Sequence, residues 1–190
     1  MGHCSGATGL AVLGGHEVLA LHPLMTVTAD GAGFAGAGCA ITGNSERALQ
    51  TARELATDLG MTAFEVADED RAAYHAAASI ASNFLVTLEG AAEQLAAQAG
   101  VPRSALVPLV RASVENWARS GAAQALTGPI ARGDHETVGR QRKAVAERAP
   151  QLLELFDALA AATGALAGGG SIAGRASGPA AAPELVGGAA

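Results

Sequence analysis

The sequence predicts a small α/β unit followed by an all-α region. Short apolar runs alternate with turn residues as far as Ala67, one amphipathic helix lies between two of these runs, and strand signals stop after Ala67. With 190 residues, the chain is long enough to bury one compact core and part of a second. The pattern divides the chain into an α/β segment at residues 1–67, a helical segment at 68–167 and a tail at 168–190.

The α/β segment contains three predicted strands, at residues 17–22, 38–41 and 62–66, each bounded by Gly, Pro or Asn. Between the last two strands, Ser45 is a suitable helix N-cap and Gly60 a suitable helix terminator. Apolar side chains keep helical spacing between these two residues: Ala48, Leu49, Ala52, Leu55, Ala56 and Leu59. The pattern therefore predicts a strand, a helix and a second strand.

One long helix is predicted next. Asp68 can cap it, two further acidic residues stand in its first turn, and no residue ends the pattern before Gly100. Roughly 30 helical residues span about 45 Å, which is more than a small domain needs for itself. We therefore expect this helix to run through a bundle or into a partner subunit.

The remaining chain predicts further helices and a tail. Helices are expected at residues 102–120, with a kink at Pro108, at His135–Arg148, capped by Asp134, and at 150–166. From Gly168 onward the chain is mostly Gly, Ala and Pro, a composition typical of disorder.

Composition excludes several classes of function. The net charge of -6 and an aromatic content of 3% provide neither a basic surface nor stacking side chains for nucleic acid. Cys4 and Cys39 are too few and too isolated for a disulfide framework or a CxxC metal site, and we expect no bound metal. The sequence contains neither a signal-peptide pattern nor an uncharged apolar run of membrane-spanning length, so we expect a cytoplasmic protein that does not bind membranes.

The segment GAGFAG, with Gly31, Gly33 and Gly36, matches the dinucleotide-binding pattern G-x-G-x-x-G in letters only. In that motif the third glycine opens a helix whose amides face the pyrophosphate, whereas here a predicted strand follows. No acidic residue ends a second strand about 20 positions later, because Glu54 lies within a predicted helix. We interpret this segment as a flexible loop.

A row of polar residues follows the long helix. His75, Ser79 and Asn83 are spaced i, i+4 and i+8, so that each lies about 40° round from the last on a face rich in alanine. A histidine that exchanges a proton near neutral pH, beside an asparagine that orients a carbonyl oxygen, suits proton-coupled hydride transfer. The spacing equally suits a His and an Asn that hydrogen-bond inside a helix bundle, with Ser79 present for its size.

A second candidate is the loop ALTGPIARGD at residues 125–134. Thr127 and Gly128 belong to a tight turn, Asp134 caps the next helix, and Arg132 projects beside helix ends, where it could bind a substrate carboxylate. The alternative is an ordinary helix-to-helix turn with a surface arginine.

A third candidate is the end of the first predicted strand, where His22 and Pro23 stand. Open α/β sheets bind ligands at the carboxyl ends of their strands, and Ser5 and Gly6 would flank the same edge. The alternative is a turn that simply ends the strand.

Taken together, five segments resemble a known family: GHCSGATG, HPLMTV, GCAITG, YHAAASIASNFLVTLE and ALTGPIARGD. In this order they look like bacterial Rossmann-like proteins with a C-terminal domain of unknown function related to the 6-phosphogluconate dehydrogenase C-terminal domain. The resemblance runs from Gly2 to about Leu166. More distantly, HPL and DRAAYHAAASIASN look similar to prephenate dehydrogenases. The row on the long helix is similar to the lysine and asparagine of ketopantoate reductases, with a histidine in place of the catalytic lysine.

The resemblance implies the C-terminal half of a Rossmann-type domain followed by a helical domain that forms a homodimer and completes an NAD(P)-linked active site. Carried over to this sequence, it implies the following site residues: His75, Ser79 and Asn83 as catalytic, Thr127, Gly128, Arg132 and Asp134 as substrate-binding, and Ser5, Gly6, His22 and Pro23 as cofactor-binding.

The resemblance also bears on what this chain does alone. Family members begin with a dinucleotide-binding half of about one hundred residues, and this chain starts after it, so we expect a truncated form that does not hold NAD(P) tightly. The full-length form is expected to transfer a hydride between a nicotinamide and a small 2-oxo or 2-hydroxy acid. The alternative is a non-catalytic module that dimerises or binds a small acid.

Overall fold

The computed structural model describes residues 1–169 and begins with a four-stranded mixed sheet. The strands are β1 (Gly2–His3), β2 (Leu19–Leu24), β3 (Gly38–Gly43) and β4 (Thr62–Glu65), and they lie side by side in that order. β1 is parallel to β2, β2 is antiparallel to β3, and β3 is parallel to β4. The predicted α/β class is confirmed, with one strand more than the sequence predicts.

The strand bounds differ from the prediction: β3 ends two residues later and β4 one residue earlier than predicted, and β1 and β2 differ more. β1 is only two residues long, too short to produce an alternating pattern in the sequence. β2 begins and ends two residues later than predicted and includes Pro23, which pairs with Cys39 of β3. Val18, just before β2, is held by a side chain instead, because its N–H donates to Oδ1 of Asn44 at 2.9 Å.

Helix α1 (Glu46–Asp58) forms as predicted and covers one face of the sheet. Ser45 Oγ accepts the N–H of Ala48 at 3.1 Å, and Gly60, with φ of 74°, lies in the left-handed region that ends the helix. Ala52 and Ala56 of α1 pack with Ile41 and the other buried side chains of this face: Leu21, Cys39 and Met61. A smaller cluster, Leu10, Val18 and Ala20, is buried separately.

The long helix runs from Arg71 to Gln98 in three pieces. These are α2 (Arg71–Ser79), one π-helical turn at Ile80–Phe84, and α3 (Leu85–Gln98). A 3-10 turn at Asp68–Asp70 precedes it, and Gly100, with φ of 72°, follows it. The predicted extent is confirmed, but Asp68 does not cap the helix, because its carboxylate accepts the N–H of Leu10 and pairs with Arg71.

The other helices are α4 (Arg103–Ser120), α5 (Ala122–Ala125), α6 (His135–Arg148) and α7 (Leu153–Ala167). Pro108 lies inside α4, and the carboxylate of Asp134 caps α6 by accepting the N–H of Thr137 at 3.0 Å. A 3-10 turn at Pro150–Leu152 leads into α7. Among the described residues, no helix combines the length and the apolarity that crossing a membrane requires.

The chain forms two compact units, Met1–Glu89 and the residues from Gly90 onward. The first unit therefore contains the sheet, α1, α2 and the π-helical turn, and the division falls within α3. The boundary predicted after Ala67 marks instead the place where the strands end. Most of the predicted tail, from residue 170, lies outside the described residues.

Candidate functional site

A cleft of about 560 Å³ opens in the first unit between the end of β2 and the long helix. Six polar or titratable side chains among its lining residues come from these two elements: His22, Tyr74, His75, Ser79, Ser82 and Asn83. Most of the remaining lining is alanine together with Leu24 and Met25. An apolar cleft with a few convergent polar groups is the usual form of a small-molecule site.

His22 and Tyr74 form the closest polar contact in the cleft. Nδ1 of His22 lies 2.6 Å from the hydroxyl of Tyr74, and the two rings meet edge to face. Phe64 of β4 packs edge-on against the Tyr74 ring, with the ring centres 6.0 Å apart. The tyrosine is therefore fixed by its ring on one side and by its hydroxyl on the other.

His75 lies beside this pair, with its ring centre 6.2 Å from that of His22. Gly6, in the loop after β1, lies against both imidazoles. A Cβ atom at Gly6 would come within 2.8 Å of both His22 Nε2 and His75 Cδ2. Only glycine therefore fits at this position without moving the two rings.

Arg71 fixes the start of the long helix against the sheet. Its side chain is 2% exposed and donates hydrogen bonds to Asp68, to the Ser5 carbonyl and to Thr42 Oγ1, the last at 2.8 Å. These partners lie in the turn before α2, in the loop after β1 and in β3. A single buried guanidinium thus joins the start of the long helix, which carries His75, to the loop that contains Gly6 and to β3, the strand that pairs with His22 of β2.

Burial and neighbouring charges disfavour the charged forms of His22, Tyr74 and Cys39. Burial, followed by His75 and Arg71, lowers the pKa of His22 below its ordinary value. Burial and the nearby Cys39 raise the pKa of Tyr74, and burial and Cys4 raise the pKa of Cys39. At neutral pH, His22 is therefore a neutral imidazole that faces a protonated phenol.

The π-helical turn places three consecutive residues, Ala81, Ser82 and Asn83, on the cleft. Ser82 Oγ lies 2.9 Å from the carbonyl oxygen of Ala78 and 2.8 Å from the side-chain oxygen of Asn83. A regular α-helix would turn neighbouring residues about 100° apart, whereas a π turn is wider and changes the register. Turns of this kind are frequent at functional sites.

The predicted row of His75, Ser79 and Asn83 lies along this cleft, but it is not buried. His75 and Asn83 are exposed and Ser79 is half-buried. Within the first unit, the row is therefore not buried among helices. The row faces a cleft that solvent and small molecules can enter.

The prediction for His22 and Pro23 is wrong in its position. Both residues lie within β2, paired with Ala40 and Cys39, and not beyond its end. Because β2 and β3 are antiparallel, the rule for the carboxyl ends of parallel strands does not explain the site. Of the predicted cofactor-binding residues, His22 lines the cleft and Gly6 contacts its ring, whereas the Ser5 hydroxyl binds Thr8 within its own turn.

The loop predicted to bind substrate belongs to the second unit. Gly128 has φ of 95°, which makes the turn, and the backbone N–H of Arg132 donates to Gly128 and Pro129. The side chains of Thr127 and Arg132 are exposed. The N–H of Thr137 holds the pKa of Asp134 below its usual range, so this carboxylate serves as the cap of α6.

Tyr74, Ser82 and Arg71 are contributors that the sequence pattern does not reveal. Tyr74 directly precedes His75, and an aromatic hydroxyl beside a candidate histidine is the one local signal available. Arg71 at the start of a helix suggests no buried role, because arginine is usually exposed. Ser82 lies within the π turn, which has no obvious sequence signature.

The segment at residues 31–36 does not build a dinucleotide-binding loop. Gly31 and Gly36 have φ of 85° and 82°, and their loop leads into β3 and not into a helix, as the sequence predicts. Without helix amides at this loop, the pyrophosphate of a dinucleotide has no binding site there. Within residues 1–169, no three His, Cys, Asp or Glu side chains are grouped as metal ligands.

Two solved structures share this fold of a small mixed sheet followed by a helical region. The first is a protein from Bacteroides fragilis named as a candidate NADP oxidoreductase, with a TM-score of 0.76 and 22% identity over 86% of this chain. The second is the Thermotoga maritima protein TM1727, with a TM-score of 0.77 and 24% identity over 88% of this chain. This chain spans 64% of the first structure and 68% of the second.

The particular family follows from the sequence itself. Residues 37–163 match the model of the domain of unknown function DUF2520, and the chain belongs to that family. No curated protein matches the chain significantly. The match covers β3, α1, β4 and the helices that follow, including the part of the long helix that lines the cleft.

Proposed function

We propose that the protein, in a full-length form, is an NAD(P)-dependent oxidoreductase that acts on a small 2-oxo or 2-hydroxy acid. The main support is the cleft in which His22, Tyr74 and His75 converge beside Asn83. The fold shared with the Bacteroides fragilis protein, whose name refers to NADP, is consistent with this proposal. So is the resemblance to dehydrogenases with a 6-phosphogluconate dehydrogenase-like helical domain.

The residues of the cleft suit the proton transfer of this reaction and not its hydride transfer. Reduction of a 2-oxo acid adds a hydride to the carbonyl carbon and a proton to the carbonyl oxygen, and the reverse reaction removes both. His75, at the cleft and open to solvent, exchanges the proton at that oxygen. Asn83 offers an amide to the same oxygen, and Ser79 lies between them on the helix.

The hydride comes from a dinucleotide that residues outside this chain hold. This part of the proposal is supported by the glycine loop at residues 31–36, which leads into a strand and opens no helix. Gly6 and His22 would then border the place where the reactive end of the dinucleotide meets the substrate. Ser5 and Pro23 support these two residues through the loop and the strand.

The activity is tested by comparing two purified forms, the chain of 190 residues and a longer form that adds an N-terminal dinucleotide-binding domain. We expect the longer form to oxidise NADPH or NADH when a panel of small 2-oxo acids is added, and the shorter chain to be inactive. An in-frame stop codon directly upstream of Met1, or a longer form inactive towards every acid and both dinucleotides, would contradict the proposal.

A separate part of the proposal concerns the loop at residues 125–134, which belongs to the second unit. Arg132 is exposed and could pair with the carboxylate of an acid, while Thr127 and Gly128 shape its turn. In the active longer form, Arg132→Gln is expected to raise KM for the acid more than it lowers kcat. An unchanged KM would remove Arg132 from the substrate site and leave it a surface residue.

A second candidate function, a dimerising module, is supported by exposed apolar side chains on the long helix. Ile80, Phe84 and Val86 are 61%, 56% and 73% exposed. We propose that a second copy of this chain covers them in a homodimer, whether or not the protein is an enzyme. Sedimentation should then show a dimer that Phe84→Glu weakens, whereas a wild-type monomer at micromolar concentration would contradict this proposal.

A further inference from the structure

Tyr74 occupies a position from which it can control the proton on His22. Its hydroxyl lies 2.6 Å from Nδ1, and its ring is held edge-on by Phe64. A neutral imidazole carries its single proton on one nitrogen, and the hydrogen bond at the other nitrogen determines which one. The contact therefore selects one of the two tautomers of His22.

Two assignments of the shared hydrogen are chemically possible. The phenol donates to an unprotonated Nδ1, or a protonated Nδ1 donates to the phenol oxygen. A phenol is the stronger acid of two neutral donors, and burial disfavours its ionised form, so it remains a protonated donor. The first assignment is favoured, and it leaves the imidazole proton on Nε2.

Nε2 of His22 is the nitrogen left free for a ligand. It makes no hydrogen bond to any residue between Met1 and Gly169, and that part of the chain has no buried side-chain nitrogen or oxygen without a partner. Nε2 is therefore accessible from the cleft. Gly6 lies against it, and the absence of a side chain there keeps this edge of the ring open.

Burial, and after it the charges of His75 and Arg71, lowers the pKa of His22 and keeps this residue neutral. The titratable or charged groups around the His22 ring are Tyr74, His75 and Arg71 from the long helix, and Cys39 of β3 lies beside the His22 backbone. Neither Tyr74 nor Cys39 is ionised at neutral pH, because burial raises the pKa of both. The cationic Arg71 disfavours a second positive charge on His22.

The geometry points to Tyr74 as a positioning residue that fixes His22 as a neutral hydrogen-bond donor, whose Nε2–H binds the keto or hydroxyl oxygen of a small acid in the cleft. This assignment rests on the proposed function for its ligand class and deepens it. His75 exchanges the proton, whereas His22 holds the oxygen without exchanging one. A neutral donor also avoids a permanent positive charge beside His75.

The tautomer is measured on the isotope-labelled chain by NMR of the imidazole nitrogens, at about pH 8, where histidine is ordinarily neutral. His22→Gln identifies the His22 signals. We expect a proton on Nε2 and an unprotonated, hydrogen-bonded Nδ1 in the wild type. Tyr74→Phe, which keeps the ring that packs on Phe64, should shift the Nδ1 signal and leave the distant His16 signals unchanged. A proton on Nδ1 in the wild type, or His22 signals that do not respond to Tyr74→Phe, would overturn the assignment.

The ligand contact is measured on the same sample without any dinucleotide, with oxamate as an unreactive analogue of a 2-oxo acid. We expect oxamate to shift the Nε2 signal of His22, and Tyr74→Phe to weaken its binding about fivefold. An Nε2 signal that saturating oxamate leaves unchanged would overturn the donor role. Because neither experiment needs turnover, an inactive longer form would contradict the oxidoreductase proposal and leave the tautomer result standing.

Discussion

Arg71 is the buried charge on which the geometry of the cleft depends. It is 2% exposed and donates to a carboxylate, a carbonyl and a hydroxyl from three different segments. A buried guanidinium is tolerated only when its donors are satisfied in this way. The position of His75, four residues later on the same helix, therefore follows from this anchor.

Replacing Arg71 by Met is expected to destabilise the first unit by about 3 kcal/mol, because hydrogen bonds to a charged group are lost and their partners are left unpaired. Urea unfolding followed by circular dichroism measures the change. Arg47→Met is the matched control, since the Arg47 side chain is 83% exposed and lies 3.8 Å from Glu17. Its effect should stay within about 0.5 kcal/mol. Equal losses in the two variants would contradict the anchoring role.

The pKa of His22 predicts a pH dependence of stability. Its folded-state pKa lies below the unfolded value of about 6.5, so acid protonates the unfolded chain more readily than the folded one. Stability is therefore full above about pH 6.5 and falls as the pH decreases through this value towards the folded-state pKa. Urea midpoints between about pH 7.5 and 5.5 should fall in the wild type and fall less in His22→Gln. Parallel curves for the two proteins would contradict the pKa shift.

Individual site residues could be predicted from the sequence where their chemistry is distinctive. Histidine and asparagine are infrequent in this sequence and typical of functional sites. His22, His75 and Asn83 all line the cleft. Tyr74 and Arg71 could not be predicted, because their roles depend on partners 52 and 66 positions away in the chain. Such contacts follow from the packing of β2 and the loop after β1 on α2, which no local pattern encodes.

Helix α1 shows how far local signals extend. Its N-cap Ser45, its buried alanines and the glycine after it are all neighbours in sequence, and the observed bounds match the predicted ones. The π-helical turn at Ile80–Phe84 shows the limit, because it contains neither Gly nor Pro and continues the apolar pattern. The helical spacing of the apolar residues thus predicted the length of the long helix but not the π-helical turn that contains Asn83.

The cap of α1 provides a test at this level. Ser45→Ala removes the oxygen that accepts the Ala48 N–H and should lower the free energy of unfolding of the first unit by about 1 kcal/mol. Ser45→Asp keeps an acceptor and adds a favourable charge at the helix N-terminus, so it should retain most of the stability. Urea unfolding distinguishes the two variants, and an equal loss in both would show that the cap contributes nothing.

The whole chain combines a sheet-bearing unit that contains the cleft with a helical unit that contains the Thr127 to Asp134 loop. The fold class could be predicted because strand and helix patterns change once, after Ala67. The division of compact units within α3 could not, since a continuous helix carries no boundary signal. The sheet is mixed and not parallel, because β2 runs opposite to β3, and strand direction is likewise absent from local patterns.

The most direct test of the proposed chemistry is the turnover of the longer form after replacement of His75 by Ala. Removal of a general acid or base lowers kcat by about 100-fold or more, and binding of NADPH should be unchanged. His16→Ala, an exposed histidine of the same unit that does not line the cleft, is the matched control and should retain full activity. Wild-type turnover in His75→Ala, or an equal loss in His16→Ala, would contradict the proposal that this cleft is the active site.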